Sequence, residues 1–331
     1  MLATKSNNSP FVLKPASVRS VMVRVLLALI PGVVAYVWLF GPAILVQIAL
    51  ASLTALAAEA IALHLRRKPV WLFISDGSAL VTAWLIALSF PPIAPWWLVV
   101  LGTLFAIVVA KHLYGGLGQN PFNPAMVAFA LMIVAYPLAM SQWPAPGGDF
   151  SQHLNAIFGH RQVDAMTMAT PLDALRTALH SGATPAADST NAWLWISLGY
   201  ALGGLYLLQQ RLITWHLPVA FLATLGLIAS IACYADPVRF GSPVFHLFSG
   251  GAVLGAFFII TDPVSGCTTP RGKLIFATLA ALLVWIIRTF GAYPDGVAFA
   301  VLLMNIAAPL IDMYTQPPVF GHKGKRTGGL S

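Results

Sequence analysis

The chain has 331 residues, of which 58% are hydrophobic and 8% charged, whereas a soluble globular protein carries about 25% charged residues. So few charges cannot cover a soluble globule, which excludes a cytosolic enzyme, a disulfide-rich secreted domain and a disordered chain; continuous apolar runs also exclude a membrane β-barrel. The net charge of +8 comes from basic residues spread thinly between apolar runs, so we interpret it as an orientation signal and expect no nucleic-acid partner.

Ten apolar segments are predicted to cross the membrane, since each approaches the roughly 20 residues that a spanning helix needs. They lie at 21–40, 43–63, 78–92, 95–112, 124–140, 193–209, 215–234, 244–261, 273–289 and 296–314. The third is short and ends in Pro91-Pro92, which indicates a broken or re-entrant helix. The predicted fold class is therefore an all-α polytopic membrane protein with about ten transmembrane helices.

The distribution of Lys and Arg predicts the orientation, because cytoplasmic loops of membrane proteins carry an excess of both. With the N-terminus inside, fourteen of the 18 lie in cytoplasmic segments and four in outer segments. We therefore expect both termini in the cytoplasm and the long hydrophilic loop outside. The predicted parts are a cytoplasmic segment 1–20, five-helix halves 21–140 and 193–314, the outer loop 141–192 and a basic cytoplasmic tail 315–331.

Two regions of the chain resemble each other. The first runs over 77–130 and contains Lys111, and the second runs over 251–300 and contains Arg288. Each combines apolar segments, a cation, a Gly/Pro break and an Ala-Phe-Ala helix start. The similarity predicts an internal repeat with broken helices, as in membrane transport folds, with chance resemblance between Ala-rich stretches as the alternative.

Ionisable side chains within spans mark a site or an ion path by default, and the candidates here are Asp262, Glu59 and Lys111. Each has a structural alternative. Lys111, like Arg288, can reach the membrane interface with its long side chain. Glu59 can lie near Arg66 and the lipid headgroups, and Asp262 can cap a broken helix. The eight His residues are scattered, and we expect no metal site.

The outer loop contains one clear helix signal. Thr170 followed by Pro171 is typical of an N-cap with proline at the first helical position. The apolar positions that follow at helical spacing are Leu172, Leu175, Ala178 and Leu179. We therefore predict a short amphipathic helix over 171–180 that lies against the membrane face.

Several longer stretches resemble the family that contains the D subunits of Rnf-type electron transport complexes and the B subunits of sodium-translocating NADH:quinone oxidoreductases. They are 93–97 (IAPWW), 111–124 (KHLYGGLGQNPFNP), 169–173 (ATPLD), 255–263 (GAFFIITDP) and 291–300 (GAYPDGVAFA). The resemblance covers nearly the whole chain. The large N-terminal extension expected of the quinone-reductase relative does not occur in this sequence, which favours the Rnf branch.

The resemblance implies a covalent FMN, joined through its phosphate to a threonine hydroxyl within a pattern like D-x-x-[S/T]-G-A-T-x-L. Carried onto this sequence, it assigns Asp164, Thr167 and Thr170 to the flavin site, with Met168 where the pattern has Gly. The stretch 181–184 (SGAT) spells the core as well, but it lacks the preceding Asp and the following Leu. We therefore prefer Thr170, where a helix N-terminus also favours a phosphate.

The resemblance further implies a bacterial inner-membrane subunit that couples electron transfer, from the ferredoxin/NAD side, to Na⁺ or H⁺ translocation. Its implied partners are the G, A, E, C and B subunits, a flavin transferase for maturation, and membrane lipids. The analogy extends to a second, non-covalent flavin, for which no residue of this sequence marks a position. Two alternatives stay open, a non-redox solute or ion transporter and a structural anchor, and neither needs Thr170.

Overall fold

The computed structural model describes residues 17–159, 167–181, 190–237 and 240–317, and these are mainly helical. The helices are α1 (Val18–Phe40), α2 (Ala43–Leu65), α3 (Val70–Ile74), α4 (Ser78–Ser89), α5 (Trp96–Leu104, continued by a π-helix Phe105–His112), α6 (Pro124–Ala135), α7 (Pro137–Met140), α8 (Phe150–Phe158), α9 (Pro171–Ser181), α10 (Thr190–Gln209), α11 (His216–Ala235), α12 (Pro243–Phe248), α13 (Ala252–Leu254, continued by a π-helix Gly255–Ile259), α14 (Pro270–Phe290) and α15 (Val297–Thr315). Two short strands, β1 (Trp143–Pro144) and β2 (Thr167–Met168), pair antiparallel. The predicted fold class is confirmed.

Among the described residues, five helices are long and apolar enough to cross a membrane: α1, α2, α11, α14 and α15. The other five predicted segments correspond to α10 and to shorter or interrupted helices. The predicted break after the third segment is present, because α4 ends at Ser89. The fifth segment is also interrupted, at Tyr136, before α7. Side chains such as Trp38, which is 72% exposed, give the helices an apolar outer surface typical of a multi-pass membrane protein.

Several helices begin at a polar residue followed by proline. The Asn123 side chain accepts hydrogen bonds from the backbone N–H groups of Ala125 (3.1 Å) and Met126 (3.3 Å) at the start of α6. The Thr269 hydroxyl oxygen accepts one from the Gly272 N–H (3.0 Å) at the start of α14. A cap satisfies N–H groups that would otherwise lack a partner, and the proline has none to satisfy. The sequence therefore sets these helix starts locally.

Helices α1 and α10 form the most extensive helix pair of the structure. Glycines allow their backbones to touch, as is common between membrane helices. A Cβ atom added at Gly203 would lie 1.7 Å from the Ala28 carbonyl oxygen, and one at Gly199 would lie 2.8 Å from the Cα atom of Gly32. Larger residues at these glycines would separate the two helices.

Polar side chains satisfy the backbone at the helix breaks, as an apolar surrounding requires. The amide of Gln47 donates to the carbonyls of Pro92 (3.1 Å) and Ala94 (2.7 Å), beyond the end of α4. Asn305 accepts from the Asn123 N–H (3.1 Å), and Asn123 donates to the Ile259 carbonyl (3.4 Å). The break before α6 in the first region therefore contacts Ile259, at the end of the π-helix in the second region. The internal repeat stays a prediction.

Candidate functional site

Helix α9 begins where the sequence predicts it. The Thr170 hydroxyl oxygen accepts a hydrogen bond from the Asp173 N–H (3.1 Å), and the hydroxyl donates to Asp173 Oδ2 (2.8 Å). The Thr170 carbonyl accepts from the Ala174 N–H (2.9 Å). These bonds confirm the predicted N-cap, and the helix extends over Pro171–Ser181.

The apolar stripe of α9 is buried by this chain itself rather than by lipid. Leu172, Leu175 and Ala178 are all buried, and α9 packs against α14. Gly250 has a φ of +64°, and a Cβ atom there would lie 2.5 Å from Leu172 Cδ1. A side chain at position 250 would therefore push Leu172, and with it α9, away from the backbone at Gly250. The predicted stripe is right, but the expected membrane contact of this helix is replaced by protein.

Thr170 lies at a cavity of about 550 Å³, within the range of about 300–1,000 Å³ typical of small-molecule and cofactor pockets. Helices α6, α7, α9 and α10 supply much of its wall, together with the loops at this end of the bundle, and α1 contributes Tyr36. Its aromatic lining residues are Tyr36, Phe129, Trp143, Trp193, Tyr200 and Tyr293. Charged residues line it too, namely Asp173, Arg176 and Asp295. The cavity can therefore hold a flat aromatic group together with an anionic one.

The charged groups around Thr170 have specific partners. Burial raises the pKa of Asp173, and the hydrogen bond from Thr170 and the positive charge of Arg176 partly offset this rise. The Arg176 guanidinium also donates to the Ala292 carbonyl. A cation and the N-terminus of α9 thus lie on the same helix, where both favour an anion.

A buried ion pair holds the loops beside α9. Arg288, 2% exposed, donates to Asp295 Oδ1 through Nε (3.2 Å) and Nη2 (3.1 Å) and to the His246 carbonyl (2.6 Å). Asp295 Oδ2 accepts from the Gly251 N–H (2.7 Å). Two loops are therefore fixed together at the cavity wall. The interface alternative for Arg288 is wrong, because its side chain is enclosed by protein.

The other residues assigned to the flavin site are only partly described. Thr167 lies in β2 opposite Pro144, and Met168 lies opposite Trp143, which is a cavity residue. The segment before Thr170 is thereby attached to the cavity wall. Asp164 and the alternative Thr184 lie outside the described residues.

The structure joins two of the three ion-path candidates. Lys111 Nζ lies 2.7 Å from Glu59 Oε1 and donates to the Ser78 hydroxyl (2.8 Å). Both charged side chains are 3% exposed, so the interface alternative for Lys111 is wrong. His112 Nε2 lies 3.5 Å from Glu59 Oε1. Arg66 contacts His112 Nδ1 (3.3 Å) and reaches Glu59 only through that ring.

Asp262 lies apart from this pair, in the turn that follows the π-helix of α13. Its Oδ1 accepts from the Val264 N–H (3.1 Å), and its Oδ2 accepts from the Ser265 hydroxyl (2.9 Å). These bonds stay within a local turn and do not cap a helix, because the next helix, α14, begins at Pro270 with Thr269 as its N-cap. Within the part of the chain that the structure describes, no group of three or more His, Cys, Asp or Glu residues could hold a metal ion.

Several residues that line or support these sites were not predicted from the sequence. They are Ser78, His112, Asp295, Tyr36 and Tyr200. His112 and Asp295 lie within the stretches 111–124 and 291–300 that carry the family resemblance, but no pattern in those stretches assigned them a role. Ser78 opens one of the predicted spans and has no further signal. The tyrosines lie within apolar runs and carry no local pattern that predicts a cavity.

Known proteins resemble this chain over nearly its whole length. The profile of the NQR2, RnfD, RnfE family matches residues 5–321. A Yersinia pseudotuberculosis protein, named as the D subunit of an ion-translocating oxidoreductase complex, is 49% identical, covering 96% of this chain and 98% of the relative. Proteins of the same name from Alcanivorax borkumensis (46% identical, 98% of each chain) and Aeromonas salmonicida (48%, 96% of this chain and 99% of the relative) are also similar.

Proposed function

The chain belongs to the NQR2, RnfD, RnfE family, and from that premise we propose that it is a membrane subunit of an Rnf-type ion-translocating oxidoreductase complex whose covalent FMN is attached at Thr170. The FMN supplies electron transfer between neighbouring redox groups, and the protein positions it and tunes its surroundings. The observation that carries the proposal is a helix-capping threonine at a cavity of about 550 Å³ with aromatic walls.

The residues at the cavity fit such a group. The Thr170 hydroxyl offers the oxygen for a phosphoester, and the N-terminus of α9 with Arg176 offers positive potential to the phosphate. Aromatic and aliphatic side chains line the rest of the cavity, as a flat tricyclic ring requires. On attachment by a flavin transferase, the Thr170 hydroxyl oxygen forms a bond to the flavin-side phosphorus of a flavin dinucleotide donor. The phosphoanhydride bond breaks, the nucleoside monophosphate leaves with the bonding electrons, and the hydroxyl proton passes to a base of the transferase.

The ion path of the proposed function passes by the Glu59–Lys111 pair. Glu59 Oε2 is buried and has no hydrogen-bond partner among the described residues, so it can accept a proton or contact a cation. Asp262, whose oxygens are used by its own turn, ranks below this pair. The transported ion is Na⁺ or H⁺. The proposed setting is the bacterial inner membrane, with both termini cytoplasmic, the 141–192 loop periplasmic, and the G, A, E, C and B subunits as partners.

A test of the flavin site needs variants that separate attachment from helix capping. Thr170→Val removes both the hydroxyl and the cap, whereas Thr170→Asn keeps a capping side chain and lacks the hydroxyl. After co-expression with a flavin transferase, the denatured native subunit and Thr184→Val should show flavin fluorescence in a gel. Both Thr170 variants should be dark.

Fluorescence retained in Thr170→Asn and lost in Thr184→Val would move the site to Thr184. A dark native subunit would instead favour a transporter without redox chemistry or a structural anchor.

A separate test of orientation is a cysteine introduced at Ser151, which is exposed on α8. It should react with an impermeant maleimide added to intact cells from outside. Labelling only after lysis would contradict the predicted orientation and place this loop in the cytoplasm.

A further inference from the structure

Two buried tyrosines line the cavity beside Thr170. Tyr36 lies on α1 and Tyr200 on α10, and they are 2% and 4% exposed. Neither hydroxyl has a hydrogen-bond partner among the described residues. Buried hydroxyl groups are nearly always hydrogen-bonded, so an unpartnered pair at one cavity requires an explanation.

The serine and threonine hydroxyl groups at the cavity are already committed as donors. Ser89 donates to the Leu85 carbonyl (2.7 Å), and Ser141 donates to the Leu138 carbonyl (3.0 Å). Thr170 donates to Asp173. The two phenols therefore retain a donor that a bound molecule can use.

The packing of α1 against α10 fixes Tyr200 in place. A Cβ atom at Gly32 would lie 2.2 Å from the Cδ1 and Cε1 atoms of the Tyr200 ring, so the ring rests directly on the α1 backbone. Phe258 closes another side of this ring, with the centroids 6.2 Å apart. Tyr36 is held against Phe40, with the centroids 5.3 Å apart. Such packing holds the phenols without hydrogen bonds of their own, as a preorganised binding site requires.

We infer that Tyr36 and Tyr200 donate hydrogen bonds to the carbonyl-bearing edge of the flavin ring and thereby help to set its reduction potential. This inference rests on the proposed function, since it takes the ring to enter the cavity from Thr170. Donors at that edge stabilise the negative charge that the ring gains on reduction. The two tyrosines are positioning residues that tune the flavin, separate from the threonine that bears it.

The test uses Tyr36→Phe, Tyr200→Phe and the double variant in the assembled complex, with Tyr206→Phe as the matched control. Tyr206 lies on the same helix α10 and is not a cavity-lining residue. Peptide mass first establishes that flavin is attached at Thr170 in each variant. The midpoint potential and visible spectrum of that flavin are then measured.

We expect each cavity variant to lower the reduced-to-oxidised ratio, at a fixed applied potential, by about threefold to tenfold, the effect of one hydrogen bond. The double variant should lower it further, and Tyr206→Phe should leave it unchanged. Without flavin, the Tm of the Phe variants should equal that of the native subunit, because no protein bond is lost.

Four outcomes would overturn the inference. The first is an attached flavin whose potential and spectrum are native in the double variant, which would show that the phenols do not contact the ring. The second is a lipid or quinone bound in the cavity in place of the flavin ring. A lower Tm of the flavin-free Phe variants would assign the hydroxyls to protein partners. Absence of flavin from the native subunit would overturn the proposed function together with the inference.

Discussion

Two buried cations, Arg288 and Lys111, lie at similar places in the two similar regions of the chain but have different surroundings. Arg288 is satisfied by Asp295 and by the carbonyls of His246 and Ser249. Lys111 is held by Glu59 and Ser78, and Glu59 keeps one carboxylate oxygen without a partner among the described residues. Arg288 therefore fixes two loops in the second region. Lys111 in the first region instead leaves one oxygen of the Glu59 carboxylate available to bind a proton or a cation.

The largest effect that sharpens this comparison is expected for Lys111→Met. It leaves the Glu59 carboxylate buried without its ammonium partner, which should cost about 3–5 kcal/mol of the free energy of unfolding. Adding Glu59→Gln should recover most of this loss, because no unpaired charge then remains buried. The measurement is thermal unfolding of the purified subunit together with ion uptake by the assembled complex.

Ion uptake should stay lost in the double variant even though its stability returns. A double variant that is no more stable than Lys111→Met would contradict the pairing of the two groups. Native ion uptake in the double variant would remove both residues from the ion path.

A smaller loss is expected for Arg288→Lys, which keeps the charge but removes the forked donor set. Losing hydrogen bonds to a charged group should cost about 1.5–3 kcal/mol and loosen the loops beside α9. Arg271→Lys, at an exposed position near the start of the same helix α14, is the matched control. Equal Tm values for the two variants would show that the Arg288 network does not hold these loops.

The N-cap of α9 should contribute about 1 kcal/mol. In the flavin-free subunit, Thr170→Val should increase amide hydrogen exchange throughout α9, because the Asp173 N–H loses its acceptor. Thr170→Asn should exchange nearly as slowly as the native subunit. Native-like slow exchange in Thr170→Val would contradict the cap, because valine keeps the methyl group of threonine and lacks only the hydroxyl.

The smallest effect concerns pH. Burial raises the pKa of Asp173, so the docked helix binds a proton more tightly than the undocked one. Docking is therefore most favourable below the ordinary Asp pKa of about 3.9 and weakens as pH rises through the higher value of the docked state. Asp173→Asn should abolish this trend in the exchange protection factors of α9, and an unchanged trend would assign it to another group.

The sequence predicted local features well and distant pairings poorly. Thr170-Pro171 and the following stripe predicted α9, and Pro91-Pro92 predicted the break after α4, because caps and prolines act on neighbouring residues. Glu59 and Lys111 are 52 residues apart, and their contact depends on how α2 packs against the extension of α5. The two-residue strands were too short to give an alternating pattern. The cavity tyrosines were missed for the same reason as the ion pair, since α1 and α10 meet only in the folded chain.

The most direct test of the central claim is the mass of the peptide between Arg161 and Arg176, taken from protein matured in the presence of a flavin transferase. We expect this peptide to be heavier by one flavin mononucleotide less the water lost in the ester bond, with fragmentation assigning the added mass to Thr170 and not to Thr167. An unmodified peptide would contradict the claim.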